Sequence, residues 1–143
     1  MVLSDHESVD TGGTIWTPLP EPRALTAAEG ALLFALVPHA RSDELTEQAA
    51  TARVTGLCWC GCPSVRLSTA GPAIPPDAMA LLSASDRLDT VTIESEALNA
   101  SGDTVNVWVH VVGGLLTELE VFAGEGIAVD LPAPGDLRNV AVR

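Results

Sequence analysis

Three stretches in the C-terminal half restrict the fold more than any other part of the chain. Residues 90–98 (TVTIESEAL), 104–112 (TVNVWVHVV) and 116–123 (LTELEVFA) alternate apolar and polar side chains. A period of two sends successive side chains to opposite faces of a strand, so each stretch has one face for a core and one for something else. The connectors NASGD and GGL carry the glycine, asparagine and aspartate that tight turns use. Consecutive strands joined this way form an antiparallel meander.

The register follows from which face must be dry. Val105, Val107, Val109 and Val111 share one face. A two-residue turn at Gly113-Gly114 would carry Glu118 and Glu120 onto it. A three-residue loop, Gly113-Gly114-Leu115, instead opposes Val109 to Leu119 and Val107 to Val121, and is the expected connection. The same reasoning opposes Ile93 to Val109 and Ala97 to Val105. The other face then collects Thr92, Glu94 and Glu96, next Asn106, Trp108 and His110, and last Glu118, Glu120 and Phe122. His110 should lie beside Glu118, and Trp108 between Glu94 and Glu120.

Upstream, Thr26 and Glu29 have the spacing of a capping box ahead of the apolar run ALLFALV, and Pro38 ends that helix. A second helix starts at SDEL, with Ser42 as its cap, acids in its first turn, and Leu45, Ala49 and Ala52 facing inward. RVTGL (53–57) and SVRLS (64–68) read as strands. Pro76 suits the first turn of a short helix after a proline-rich loop, and GEGIAVD (124–130) reads as one more short hairpin. The fold class expected is α+β, an antiparallel meander of about five or six strands with two N-terminal helices packed on the valine face. Residues 1–22 end in TPLPEP and are expected to be a loose arm. Residues 23–132 form a single domain, and 133–143 a C-terminal tail. With 143 residues, 47% of them hydrophobic, the chain can build one real core.

Charge narrows the partners. Seven arginines, no lysine and nineteen acids leave a net charge of -12. Phosphate binding needs clustered cations, so neither nucleic acid nor an anionic membrane surface is expected. A basic protein or a cation is electrostatically compatible. The first residues lack the pattern of a signal peptide, and no apolar run approaches the ~20 residues of a membrane helix, so a cytoplasmic setting with reduced thiols is expected.

All the cysteines fall in one stretch, Cys58-Trp59-Cys60-Gly61-Cys62-Pro63-Ser64. Three readings stay open. In an extended segment the three thiols project to one side, while a turn at Gly61-Cys62-Pro63 gathers them around one ion. Three cysteines plus a histidine is an accepted zinc set, with His39, His110 or His6 as the fourth ligand. Alternatively Cys60 and Cys62 form a redox dithiol. In the third reading the cysteines are small buried hydrophobes lining a tight corner.

The acidic face offers a second place for function. Antiparallel sheets commonly leave one face wet, which accounts for most of the glutamates. Aromatics on a charged face mark partner contacts. The residues assigned to partner binding are Glu94, Glu96, Trp108, His110, Glu118 and Glu120. The chain has no P-loop, no G-x-G-x-x-G after a strand, no H-E-x-x-H and no G-x-S-x-G, and no catalytic residue is assigned.

VTGLCWCGCPSVRL, preceded by the acidic DELTEQ helix, together with HVVGGLLTELEVFAGEG, resembles small uncharacterised proteins of high-GC Gram-positive bacteria. These share a C-x-C-G-C-P-S stretch and a later glycine turn followed by L-E. The resemblance spans roughly residues 42–132 and implies no activity. The glycine-turn hairpin is also similar to segments of small bacterial immunity proteins that neutralise toxins. The leading expectation is therefore a non-enzymatic interaction module of immunity or inhibitor type, offering its acidic face to a basic partner. The alternative is a zinc-binding protein using Cys58, Cys60 and Cys62. Free sheet edges would also allow a homodimer.

Overall fold

A computed structural model describes residues 8, 9 and 15–143 apart from residue 85. The fold is α+β. In chain order its elements are β1 (Ser8–Val9), β2 (Ile15–Ala24), α1 (Ala27–Leu36), α2 (Asp43–Thr51), β3 (Arg53–Cys58), β4 (Val65–Ser68), α3 (Pro76–Leu82), β5 (Thr90–Leu98), β6 (Thr104–Val112), β7 (Leu115–Phe122) and β8 (Arg138–Val142). Short 3-10 turns occupy Val37–Ala40 and Pro134–Asp136. All the strands join one sheet in the order β1-β2-β3-β4-β7-β6-β5-β8, with every pairing antiparallel.

Among the described residues the sheet has eight strands, more than the five or six expected, because segments toward both chain ends contribute. Residues 15–22 are not part of a loose arm. They run in β2, paired to β3 through Trp16↔Cys58, Thr17↔Leu57 and Pro18↔Gly56. The prolines of TPLPEP obscured this strand, since proline cannot donate to a ladder. Among the described residues β1 pairs only with Ile15 and Trp16, so no described ladder on that side calls for the N–H groups the prolines lack. At the other end, the expected tail contains β8, which pairs with β5 at Ile93↔Val142, Glu94↔Ala141 and Glu96↔Arg138. Its extra residue is absorbed at Asn139, whose φ of 56° is left-handed. Conversely, residues 124–130 form a turn closed by Ile127 N–H donating to the Gly124 carbonyl, and no strand.

The expected register across β5, β6 and β7 is present: Ile93↔Val109, Ala97↔Val105, Val109↔Leu119 and Val107↔Val121. The connection that achieves it differs. Val112 opposes Leu115, so the turn is the two-residue Gly113-Gly114, both with positive φ as a type I′ turn requires. The extra residue sits in a bulge: His110 opposes Glu118 and Val111 opposes Leu116, leaving Thr117 unpaired across the ladder. Its hydroxyl donates to the His110 carbonyl at 3.2 Å. The hairpin thus keeps the turn that matches strand twist and corrects the face with a bulge.

The valine face is the core. Val105, Val107, Val109 and Val111 are at most 2% exposed and share one cluster with Leu32, Leu33 and Leu36 of α1, Leu45 and Ala49 of α2, and Met79 of α3. Among the described residues there are three α-helices, the two N-terminal ones and the short helix expected at Pro76. Thr26 and Glu29 form the expected capping box, and Ser42 accepts from the Leu45 N–H at the start of α2. Gln48 is wholly buried on α2. Its amide donates to the carbonyls of Pro72 and Gly114, and its carbonyl accepts from the Leu116 N–H, which locks the 70s loop against the glycine turn.

The sheet divides into two runs, β1 to β4 and β7-β6-β5-β8, joined where β4 meets β7. That ladder holds two residue pairs, Val65↔Leu119 and Arg66↔Glu118. Ser64, 2% exposed, extends it with its side chain: the hydroxyl accepts from the Val121 N–H at 2.8 Å and donates to the Val121 carbonyl at 3.2 Å.

Candidate metal centre

The cysteine stretch is the tip of the β3–β4 hairpin. Gly61 N–H donates to the Cys58 carbonyl at 3.1 Å, closing a turn that Gly61 makes possible with a φ of +84°. Trp59 N–H donates to the Ile15 carbonyl, tying the tip to β2. The turn therefore lies over Cys58–Gly61, ahead of the expected Gly61-Cys62-Pro63. It folds alternate cysteines toward one another instead of leaving them in an extended row.

The sulfurs of Cys58, Cys60 and Cys62 all lie within 4.8 Å of one another. Cys58 Sγ and Cys60 Sγ are 3.0 Å apart. The Cys62 N–H donates to Cys60 Sγ at 3.3 Å, and the Cys62 thiol donates to Ser64 Oγ at 3.4 Å. None of the three is fully buried: Cys60 is exposed and the other two are half-buried. The reading of the cysteines as buried hydrophobes is corrected by this exposure. A cavity of about 210 Å³ adjoins Cys58 and Cys62, bounded also by Arg23, Glu29 and Ser64.

The electrostatics separate the thiols. Burial and the hydrogen bond to Cys60 push the Cys58 thiol up to about 12. Partial burial also opposes ionisation of Cys60. Hydrogen bonds from the Cys58 and Cys62 thiols and from the Cys62 N–H outweigh it and hold Cys60 below the ordinary thiol value. Cys60 is thus the sulfur on which negative charge settles first, and its neighbours act as donors to it.

The three sulfurs could hold a metal. Zinc–sulfur bonds of about 2.3 Å at tetrahedral angles separate sulfurs by about 3.8 Å. The sulfurs here, 3.0 Å apart for Cys58 and Cys60 and nowhere more than 4.8 Å apart, lie in the range of that value. Among the described residues no histidine joins the three sulfurs at this spacing. His39 is exposed on the 3-10 turn after α1, His110 sits in a separate cluster, and His6 lies outside the described residues.

The acidic face has the expected neighbours but not the expected exposure. Glu94 opposes Trp108, which opposes Glu120, and His110 opposes Glu118. His110 Nε2 bonds Glu120 Oε1 at 2.7 Å, diagonally rather than straight across. Trp108 packs edge-on against Phe122, ring centroids 5.1 Å apart. The face is partly wet, with Glu94, Glu96, Asn106, Trp108 and Glu120 half-exposed, but not at its centre. Glu118 is 0% exposed and His110 7%, so neither offers surface to a partner. Glu94 and Glu96 already pair with Arg143 and Arg138 at 3.1 and 3.5 Å, an effect of β8 that alternation within the meander could not reveal. Ligand atoms of His110, Glu118 and Glu120 also fall within 4.8 Å of one another, the first two residues buried and Glu120 half-exposed, with Glu118 cross-strand from Arg66.

Sequence reasoning missed Ser64, which connects the cysteine tip to β7. A serine after a proline in a turn carries no sign of a partner 57 residues away.

Among the described residues no helix is long and apolar enough to cross a membrane. No protein-family model matches the chain, and no curated protein or solved structure matches it significantly.

Proposed function

We propose that this chain binds a thiophilic divalent cation of the zinc class through the thiolates of Cys58, Cys60 and Cys62. The observation that carries the reading is the convergence of three sulfurs within 4.8 Å on a half-open hairpin tip. Thiolate is the protein donor zinc accepts most readily, and three protein donors leave one coordination position open. Water or an incoming ligand fills that position from the adjoining cavity. The tip has room for a small adjustment: Gly61 supplies its turn, and the Trp59 residue is 64% exposed.

Cobalt titration tests it. Cobalt(II) added to the reduced full chain should produce the near-ultraviolet sulfur-to-metal charge-transfer band of a thiolate site, and one equivalent of zinc should erase it. The triple variant Cys58→Ser/Cys60→Ser/Cys62→Ser should show no such band. An unchanged band in that variant would rule out the site. Binding should weaken as pH falls, because protons compete for the thiolates.

Capture of a basic partner on the acidic face has less support. Its central carboxylate, Glu118, is inaccessible, and two of the outer glutamates are neutralised within the chain.

A further inference from the structure

We propose that Cys58 and Cys60 are also a reversible disulfide-forming pair, open to modification by hydroperoxides, and that the disulfide and a bound metal exclude each other at the hairpin tip. The exclusion rests on the metal reading above; the disulfide does not.

The pairing follows from contacts. Cys58 Sγ and Cys60 Sγ already touch at 3.0 Å, so forming a bond of about 2.05 Å requires an approach of about 1 Å. Two residues of chain span at most about 7 Å, and the turn shortens that, which keeps the two Cα atoms inside the limit for a disulfide. Cys62 is engaged elsewhere. Its thiol donates to Ser64 Oγ at 3.4 Å, which competes with its approach to Cys60, whereas Cys58 Sγ already lies 3.0 Å from Cys60 Sγ. The dithiol is therefore Cys58 with Cys60 rather than Cys60 with Cys62. Access also favours Cys60, the exposed member of the set.

The chemistry balances with a hydroperoxide as the oxidant. The Cys60 sulfur attacks one peroxide oxygen, the O–O bond breaks, and an alcohol (or water, from hydrogen peroxide) leaves, giving a sulfenic acid. The Cys58 sulfur then attacks the Cys60 sulfur. The S–S bond forms, the S–O bond breaks, and water leaves with the Cys58 proton. Two thiols lose two electrons in all, and the peroxide gains them. A dithiol reductant reverses the change by exchange. With two of its three sulfurs in a disulfide, the tip retains a single thiol and no longer makes a zinc-type site.

The test uses the full chain, metal-free and reduced, treated with one equivalent of hydrogen peroxide. Intact mass should fall by about 2 Da without dimer formation. The tryptic peptide between Arg53 and Arg66 contains every cysteine, and alkylation should mark Cys62 alone. A disulfide involving Cys62, an intermolecular disulfide, or three alkylated cysteines would overturn the proposal. In Cys58→Ser the same dose should leave a sulfenic acid, trapped by dimedone at Cys60; its absence also counts against the mechanism. A second arm treats the cobalt-loaded chain. Release of cobalt in step with the mass change supports exclusion, and a disulfide formed with cobalt retained refutes it. If the disulfide forms in the metal-free chain but cobalt never binds, the metal reading alone has failed.

Discussion

Glu29 shows how much a single side chain does at the entrance to the fold. It accepts from the Thr26 N–H at 2.8 Å and holds Arg23 in a two-point contact at 2.9 and 3.0 Å. Burial alone would raise its pKa, but the bonds from Arg23 and Thr26 outweigh it and hold the carboxyl below its ordinary value. A depressed folded pKa means stability that is present above the unfolded carboxylate value, about 4.3, and is lost as pH falls through the folded one. Glu29→Gln should therefore cost about 1–2 kcal/mol at neutral pH, and thermal unfolding curves of variant and wild type should converge below about pH 4. Gln48 plays a similar part inside. Gln48→Leu strips partners from one buried N–H and two carbonyls, and should cost about 2–4 kcal/mol in urea denaturation. These two residues differ in legibility. Thr26 and Glu29 declare a capping box by spacing alone. Gln48 sits in DELTEQAA, where a glutamine looks like any solvated helix position, and its role depends on loops 24 and 66 residues away.

Among the elements, the strands of the meander were legible because alternation and a dry face overdetermine register. Their joint was legible only in part. Pattern demanded one extra residue between Val109 and Leu119 but could not say whether turn or bulge held it; strand twist favours the two-residue turn, and Thr117 took the bulge. The two turn glycines should respond differently to substitution. Gly113 has a φ of +61° with open space around it, so Gly113→Asn should change stability by less than about 1 kcal/mol. At Gly114 a Cβ would collide with the backbone of Ile74, and φ is +86°. Gly114→Ala should cost about 2–4 kcal/mol, and equal effects at the two sites in a denaturation series would contradict the turn described. Strands β2 and β8 escaped notice for separate reasons. Three prolines disguise β2, and β8 is five residues interrupted by a left-handed asparagine. The pairing of Glu94 and Glu96 was missed in consequence, because Arg138 opens β8 and Arg143 follows its last residue.

At the scale of the molecule, the sheet is two antiparallel runs meeting at a ladder of two pairs, and Ser64 supplies the further rung. Ser64→Ala leaves the Val121 N–H and carbonyl without that partner inside the protein. It should cost about 1–3 kcal/mol, and if the rung unites the runs it should also broaden the unfolding transition measured by circular dichroism. A sharp, unshifted transition would show that the core alone unites them. The same hydroxyl accepts the Cys62 thiol proton at 3.4 Å, so the hairpin tip and the join between the runs share an atom. Whatever occupies the sulfurs changes what Ser64 must satisfy, and with it the opening frequency of a strand far along the chain. The Val121 amide is then a built-in reporter. Its deuterium uptake should slow or quicken with the state of Cys62, although no ligand touches β7 itself.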